Sequence, residues 1–156
     1  SAIRYPRGRG VITDWQKNYF KNYATIEIGA ATCLKDGNKT AVLSSGTIGN
    51  NVITALENSS NSSTIAHYDF PFIKPLDNKL LHSIFQKFAT IITIEDGAIN
   101  GGFGTAILEF SALHNYNAKI STLGIPDTFI EHGTVTELQQ LCNIDVKSLE
   151  NLFSLG

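Results

Sequence analysis

Thr90-Ile91-Ile92-Thr93-Ile94-Glu95-Asp96, then Gly97-Ala98-Ile99-Asn100-Gly101-Gly102-Phe103-Gly104, then Thr105 to Leu113, is the stretch that decides the fold. A short β-branched apolar run with almost no polar interruption reads as a strand covered on both faces, as in the middle of a parallel α/β sheet. The acidic residues end it. The glycines let the backbone turn sharply and let a helix start close to the sheet. Phe103, Ala106, Ile107, Phe110 and Leu113 give that helix one apolar face. In open α/β sheets, ligands and partners meet the carboxyl ends of the strands, so Glu95, Asp96 and the loop to Gly104 occupy the functional edge. An acidic pair there disfavours a phosphate unless a metal intervenes, although the amides at the start of the helix could favour one.

Working outward, Thr25 to Leu34 and Thr40 to Ser44 read as two strands, with Asp36-Gly37 between them suited to a tight hairpin that sets one antiparallel strand at the sheet edge. Ile48 to Leu56 reads as a helix and Thr64 to Asp69 as a strand. Two prolines hold Phe70 to Leu76 extended. Asp77 is placed to cap a helix in which Leu81, Ile84, Phe85 and Phe88 face the core. Beyond the central unit come a strand from Lys119 to Leu123, an irregular loop from Gly124 to Gly133, a capping box at Thr134-Val135-Thr136-Glu137 and a last helix capped by Asp145. A hairpin followed by alternating helices and strands predicts a three-layer α/β/α sandwich with a mostly parallel mixed sheet and one antiparallel edge strand.

The 156 residues suffice for one domain with a sizeable core, and 42% hydrophobic against 17% charged residues fits a globular chain. A net charge of −2 gives no reason to expect nucleic acid or an anionic membrane as partner. No apolar run approaches the length of a membrane span and no signal-peptide layout is visible, so a cytoplasmic location is expected. Cys33 and Cys142 share no C-x-x-C spacing, which predicts buried thiols rather than a disulfide or zinc site. With no methionine in the chain and Ser at position 1, the expectation is a piece of a longer protein.

Gly102-Phe103-Gly104 invites a dinucleotide-binding reading, but the third glycine of the fingerprint falls at Ile107, and close helix and strand packing explains the glycines better. Glu95 and Asp96 could be an acid and base pair, yet neighbours in a strand point to opposite faces. His67, His82, His114 and His132 are scattered without metal-like spacing; His132, beside Glu131 in a strand-end loop, is the one worth testing. No G-x-S-x-G nucleophile motif is present. Arg4, Arg7 and Arg9 form the only dense positive patch; a guanidinium fork suits a phosphate or carboxylate, although on sequence pattern alone a solvated linker is the favoured reading. On residue chemistry alone the chain lacks a self-contained active site.

Arg4-Tyr5-Pro6-Arg7-Gly8, Lys74-Pro75-Leu76-Asp77, Glu95-Asp96 with Gly101-Gly102-Phe103-Gly104, and Leu123-Gly124-Ile125-Pro126-Asp127 with Phe129-Ile130-Glu131-His132-Gly133 stand in the order seen in the 1-deoxy-D-xylulose-5-phosphate synthases. The chain resembles their C-terminal portion from Ile3 onward, most weakly over Val11 to Tyr23. The second and third elements are shared across the transketolase group, whereas the first and last are much closer to the synthases.

The resemblance implies that residues 1–10 end a preceding pyrimidine-binding domain and linker, and that residues 11–156 form a transketolase-like C-terminal domain. It implies a homodimeric enzyme that condenses pyruvate with glyceraldehyde 3-phosphate, losing carbon dioxide, on thiamine diphosphate and magnesium held by upstream domains. This fragment would then bind no cofactor and be inert alone. Arg7, matching the second arginine of R-Y-P-R-G, would grip the phosphate of glyceraldehyde 3-phosphate. Alternatives are the equivalent domain of a transketolase or a 2-oxoacid dehydrogenase β chain, or a non-catalytic dimerisation or docking domain.

Overall fold

A computed structural model of the chain describes residues 25–154. Five strands form one sheet in the order β1-β3-β2-β4-β5. They are β1 (Thr32–Lys35), β2 (Thr40–Ser45), β3 (Ile65–Asp69), β4 (Thr90–Ala98) and β5 (Lys119–Ile125). Only β1 runs antiparallel to its neighbour. Between the strands lie α1 (Gly49–Asn58), α2 (Asn78–Lys87) and α3 (Phe103–Leu113), and after β5 come α4 (Val135–Leu141) and α5 (Val146–Ser154).

The alternation of side chains along the strands divides the core in two. Ala41, Leu43, Ala66, Tyr68 and Ile91 point to one face, where Leu81, Ile84 and Phe85 of α2 and Phe103, Ile107 and Phe110 of α3 cover them. Val42, Ile65, Ile92 and Ile94 point to the other, beneath Val52 and Ala55 of α1 and Leu149 and Phe153 of α5. Each fully buried side chain of this size contributes about 1.5–3 kcal/mol, so the two apolar helix faces hold the layers together. The expected three-layer sandwich is what forms. In α3 the apolar face is narrower than the sequence suggests, because Leu113 is exposed while Ser111 is buried.

The expected hairpin does not form. β1 pairs with β3 rather than β2, and the strand is confined to Thr32–Lys35. Asp36-Gly37 instead carries the chain across the start of β3: the amides of Asn38 and Lys39 donate to the Thr64 carbonyl. A Cβ on Gly37 would lie 2.4 Å from the Ala66 nitrogen. The turn is therefore a crossing over a third strand, and only glycine fits under it. β1 is still the antiparallel edge strand. Its position also explains why Cys33 is exposed rather than buried, since no helix among the described residues covers this edge, and Cys142 is only half-buried.

One polar contact lies deep in the second face. Ser44 Oγ and His67 Nε2 are 2.8 Å apart on adjacent strands, and both residues are almost completely buried. Burial lowers the pKa of His67 from 6.5 to about 4. The unfolded chain therefore takes up a proton first as pH falls. Stability carried by the neutral ring is complete above the unfolded value and is lost as pH drops toward 4, by on the order of 3 kcal/mol. Urea unfolding across this pH window should show that loss in the parent chain and a clearly flatter profile in His67→Gln; parallel profiles would remove His67 as the cause.

Candidate functional site

Position in the sheet, rather than any catalytic constellation, marks the carboxyl edge around Glu95 as the candidate site. β4 runs on past the acidic pair to Ala98, with an irregular register against β5 between Ile94 and Ala98. The connection to α3 is therefore shorter than the sequence suggests. Glu95 is buried and turns its carboxylate back onto the helix start: the amide of Phe103 donates to Oε2 at 2.9 Å, and that of Gly104 donates to Oε1 at 2.8 Å. A charged acceptor at a helix N-terminus satisfies two orphan amides and complements the helix dipole.

The glycines make room for this carboxylate. A Cβ on Gly102 would sit 2.2 Å from Glu95 Oε2 and 2.3 Å from the Ala98 carbonyl oxygen, and one on Gly124 would sit 2.8 Å from the Gly97 carbonyl oxygen. Gly104 lies against Thr93 and Thr122, where a Cβ would approach both side chains to 2.7 Å. Close packing accounts for the glycine run, as its incomplete fingerprint indicates. The anion site that the helix amides could have offered is occupied by the chain's own Glu95.

Asp96 is exposed on the strand beside it, so the two carboxylates have separate environments. On the rim of the edge, Asn100 Nδ2 donates to Asp127 Oδ2 at 3.2 Å, joining the two loops. His132 stands in the exposed loop after β5, where it borders an open hollow of about 520 Å³ with Glu131, Leu138 and Leu141. Glu137, also on that hollow, accepts from the Thr134 amide at 2.9 Å, completing the expected capping box. Those Thr134 hydrogen bonds hold its pKa below the usual carboxylate value. Arg7, Arg4 and Arg9 lie outside the described residues.

Asp77 caps α2 as expected, Oδ1 accepting from the Leu80 amide at 2.9 Å. Other contacts were invisible in the sequence: Asp77 Oδ2 also accepts from the Ala31 amide at 3.1 Å, tethering the approach to β1. The histidines are less scattered than their numbering implies, for His82 and His114 have ring centroids 4.5 Å apart, and His82 Nδ1 lies 2.7 Å from the Tyr116 hydroxyl. Among the described residues no three His, Cys, Asp or Glu side chains gather to hold a metal ion. With Glu95 committed to amides, these residues do not fit a seat for magnesium or a diphosphate.

The sequence profile of the family "Transketolase, C-terminal domain" matches residues 29–149. The chain belongs to that family. It is 49% identical over 150 residues to the 1-deoxy-D-xylulose-5-phosphate synthase of Bacteroides thetaiotaomicron, covering 95% of this chain and 23% of that protein. It is 37% identical over 150 residues to the synthase of Vibrio campbellii, covering 96% of this chain and 23% of the relative. The chain thus spans less than a quarter of the curated relatives it matches, and corresponds to their C-terminal part. Among solved structures, a split-gene transketolase described as an inactive β4 tetramer superposes with a TM-score of 0.75 at 21% identity, over 84% of this chain and 43% of that one. Transketolase from Campylobacter jejuni gives 0.55 at 17% identity over 82% and 19%. These structures show the shared transketolase C-terminal fold. Among the described residues, no helix is long and apolar enough to cross a membrane.

If the transketolase C-terminal fold holds its carboxyl edge together through Glu95, Glu95→Gln should keep the shape, lose the charge and reduce stability by about 1–3 kcal/mol in urea unfolding. Gly102→Ala should cost at least as much, because its Cβ meets a backbone carbonyl that cannot swing away. An unfolding midpoint unchanged in both variants would contradict the geometry.

Proposed function

We propose that this chain is the C-terminal part of a 1-deoxy-D-xylulose-5-phosphate synthase, a transferase that condenses pyruvate with glyceraldehyde 3-phosphate and releases carbon dioxide. The observation that carries this reading is near-half identity to proteins of that name over almost the whole of this chain. The R-Y-P-R-G and L-G-I-P-D-x-F-I-E-H-G motifs support it over a transketolase or a 2-oxoacid dehydrogenase β chain. In the full protein, thiamine diphosphate and magnesium belong to domains outside this chain, and the product serves isoprenoid, thiamine and pyridoxal synthesis. The enzyme is a cytoplasmic homodimer. Residues 1–10 close the preceding domain and residues 11–156 form the domain proposed here.

Within that enzyme the chain has two tasks. Arg7 binds the phosphate of glyceraldehyde 3-phosphate, since a guanidinium pairs with a phosphate through two charge-assisted hydrogen bonds, each giving about 1.5–3 kcal/mol. The remainder is a scaffold. The exposed Phe129, Val135 and Leu141 on the β5 loop and α4 suit contact with the rest of the protein.

Supplied with both substrates, thiamine diphosphate and magnesium, the 156-residue chain should form no product; robust turnover would overturn the reading. In the complete enzyme Arg7→Ala should raise KM for glyceraldehyde 3-phosphate by tenfold or more while moving KM for pyruvate little. An equal effect on both substrates would remove the phosphate role.

A further inference from the structure

Among the described residues, the second face of the sheet is not covered to its edge: α1 and α5 lie over β2, β3 and β4, and neither extends over β1. A cavity of about 330 Å³ fills this gap, with Leu34 of β1 and His67 of β3 as its floor and Ile53 and Leu56 of α1 as its wall. Lys35, Glu57 and Ser62 complete the lining. The volume is within the range of small-molecule sites, which are mostly apolar with a few placed polar groups.

The polar group here is His67. It is 1% exposed, and its Nε2 is engaged by Ser44 Oγ. Its Nδ1 has no hydrogen-bond partner among the described residues, and it is not among the side-chain nitrogens and oxygens sealed from solvent without a partner. The unpartnered nitrogen therefore opens onto the cavity that the ring lines. A ring nitrogen that faces the cavity without a protein partner can exchange its water for a ligand group that makes the same hydrogen bond.

The surroundings restrict what that ligand can be. Lys35 is the one cation among the described lining residues, and its ammonium donates to the carbonyls of Ser62, Ile65 and Asp36, leaving no proton for an anion. Glu57, an exposed residue of the lining, repels negative charge. Phosphates and carboxylates are thus disfavoured. A hydroxyl suits His67 in either tautomer, because it accepts from a ring N–H or donates to a bare ring nitrogen.

We propose that the cavity between α1 and β1 is a binding site for a small uncharged alcohol or phenol, its apolar body against Leu34, Ile53 and Leu56 and its hydroxyl on His67 Nδ1. The inference is independent of the reaction proposed above, since it uses only residues of this chain and a ligand unlike the anionic substrates.

Titrating the 156-residue chain with 4-methylphenol, toluene and 4-methylbenzoate, followed by amide and histidine-ring ¹⁵N NMR, tests it. The phenol should give saturable shifts confined to Leu34, Ile53, Leu56 and the His67 ring. Toluene, lacking the hydroxyl, should bind roughly tenfold or more weakly, and 4-methylbenzoate should be weaker than the phenol. Ile53→Trp, which fills the cavity, should abolish the shifts; if that variant fails to fold, Leu34→Trp at the exposed edge makes the same test. Absence of saturable shifts, equal binding of toluene, tighter binding of the carboxylate, or undiminished binding in a folded tryptophan variant would each overturn the proposal.

Discussion

The pair of hydrogen bonds from the Phe103 and Gly104 amides to the Glu95 carboxylate is the constraint on which the carboxyl edge is built. A helix that starts against a sheet leaves its first amides without partners, and in this family of folds such amides are often where an anion binds. Here a side chain of the preceding strand supplies the anion. For the carboxylate to reach, β4 must continue past Glu95 and the chain must return within a few residues. Gly102, Gly104 and Gly124 permit that return by leaving no Cβ in the way. The acidic residue and the glycines are thus one device rather than two motifs.

That arrangement shapes the functional reading. A carboxylate committed to two amides is not free to bind magnesium, and a helix start already holding a carboxylate does not take a diphosphate. The transketolase C-terminal domain therefore presents a closed, self-satisfied edge, rimmed by the Asn100–Asp127 contact and the loop that carries His132. Among the described residues the far edge of the same sheet is less complete, with the His67 cavity lying beside β1.

How far these features could be read from the residues depends on how local their causes are. The β4 run announces itself by β-branched residues, and the capping box at Thr134 and Glu137 by a three-residue spacing, because each is decided within a few positions. The cap by Glu95 spans eight residues and a bend, so no local pattern records it. Asp36-Gly37 reads as a hairpin because the dipeptide favours a turn; that β3, some thirty residues later, slides between the two strands is a tertiary fact outside the dipeptide. Ser44 with His67, and His82 with His114 and Tyr116, are brought together across elements for the same reason. Position at the carboxyl edge was legible from topology alone, whereas what occupies that edge is decided by tertiary contacts.

The most direct test of this account is the through-hydrogen-bond scalar coupling between the side-chain carboxyl carbon of Glu95 and the amide nitrogens of Phe103 and Gly104, measured by NMR on the labelled chain. Resolvable coupling to both amides is the predicted result. Coupling to neither, with both amides exchanging freely with solvent, would mean that the helix start is open and that the closed-edge description is wrong.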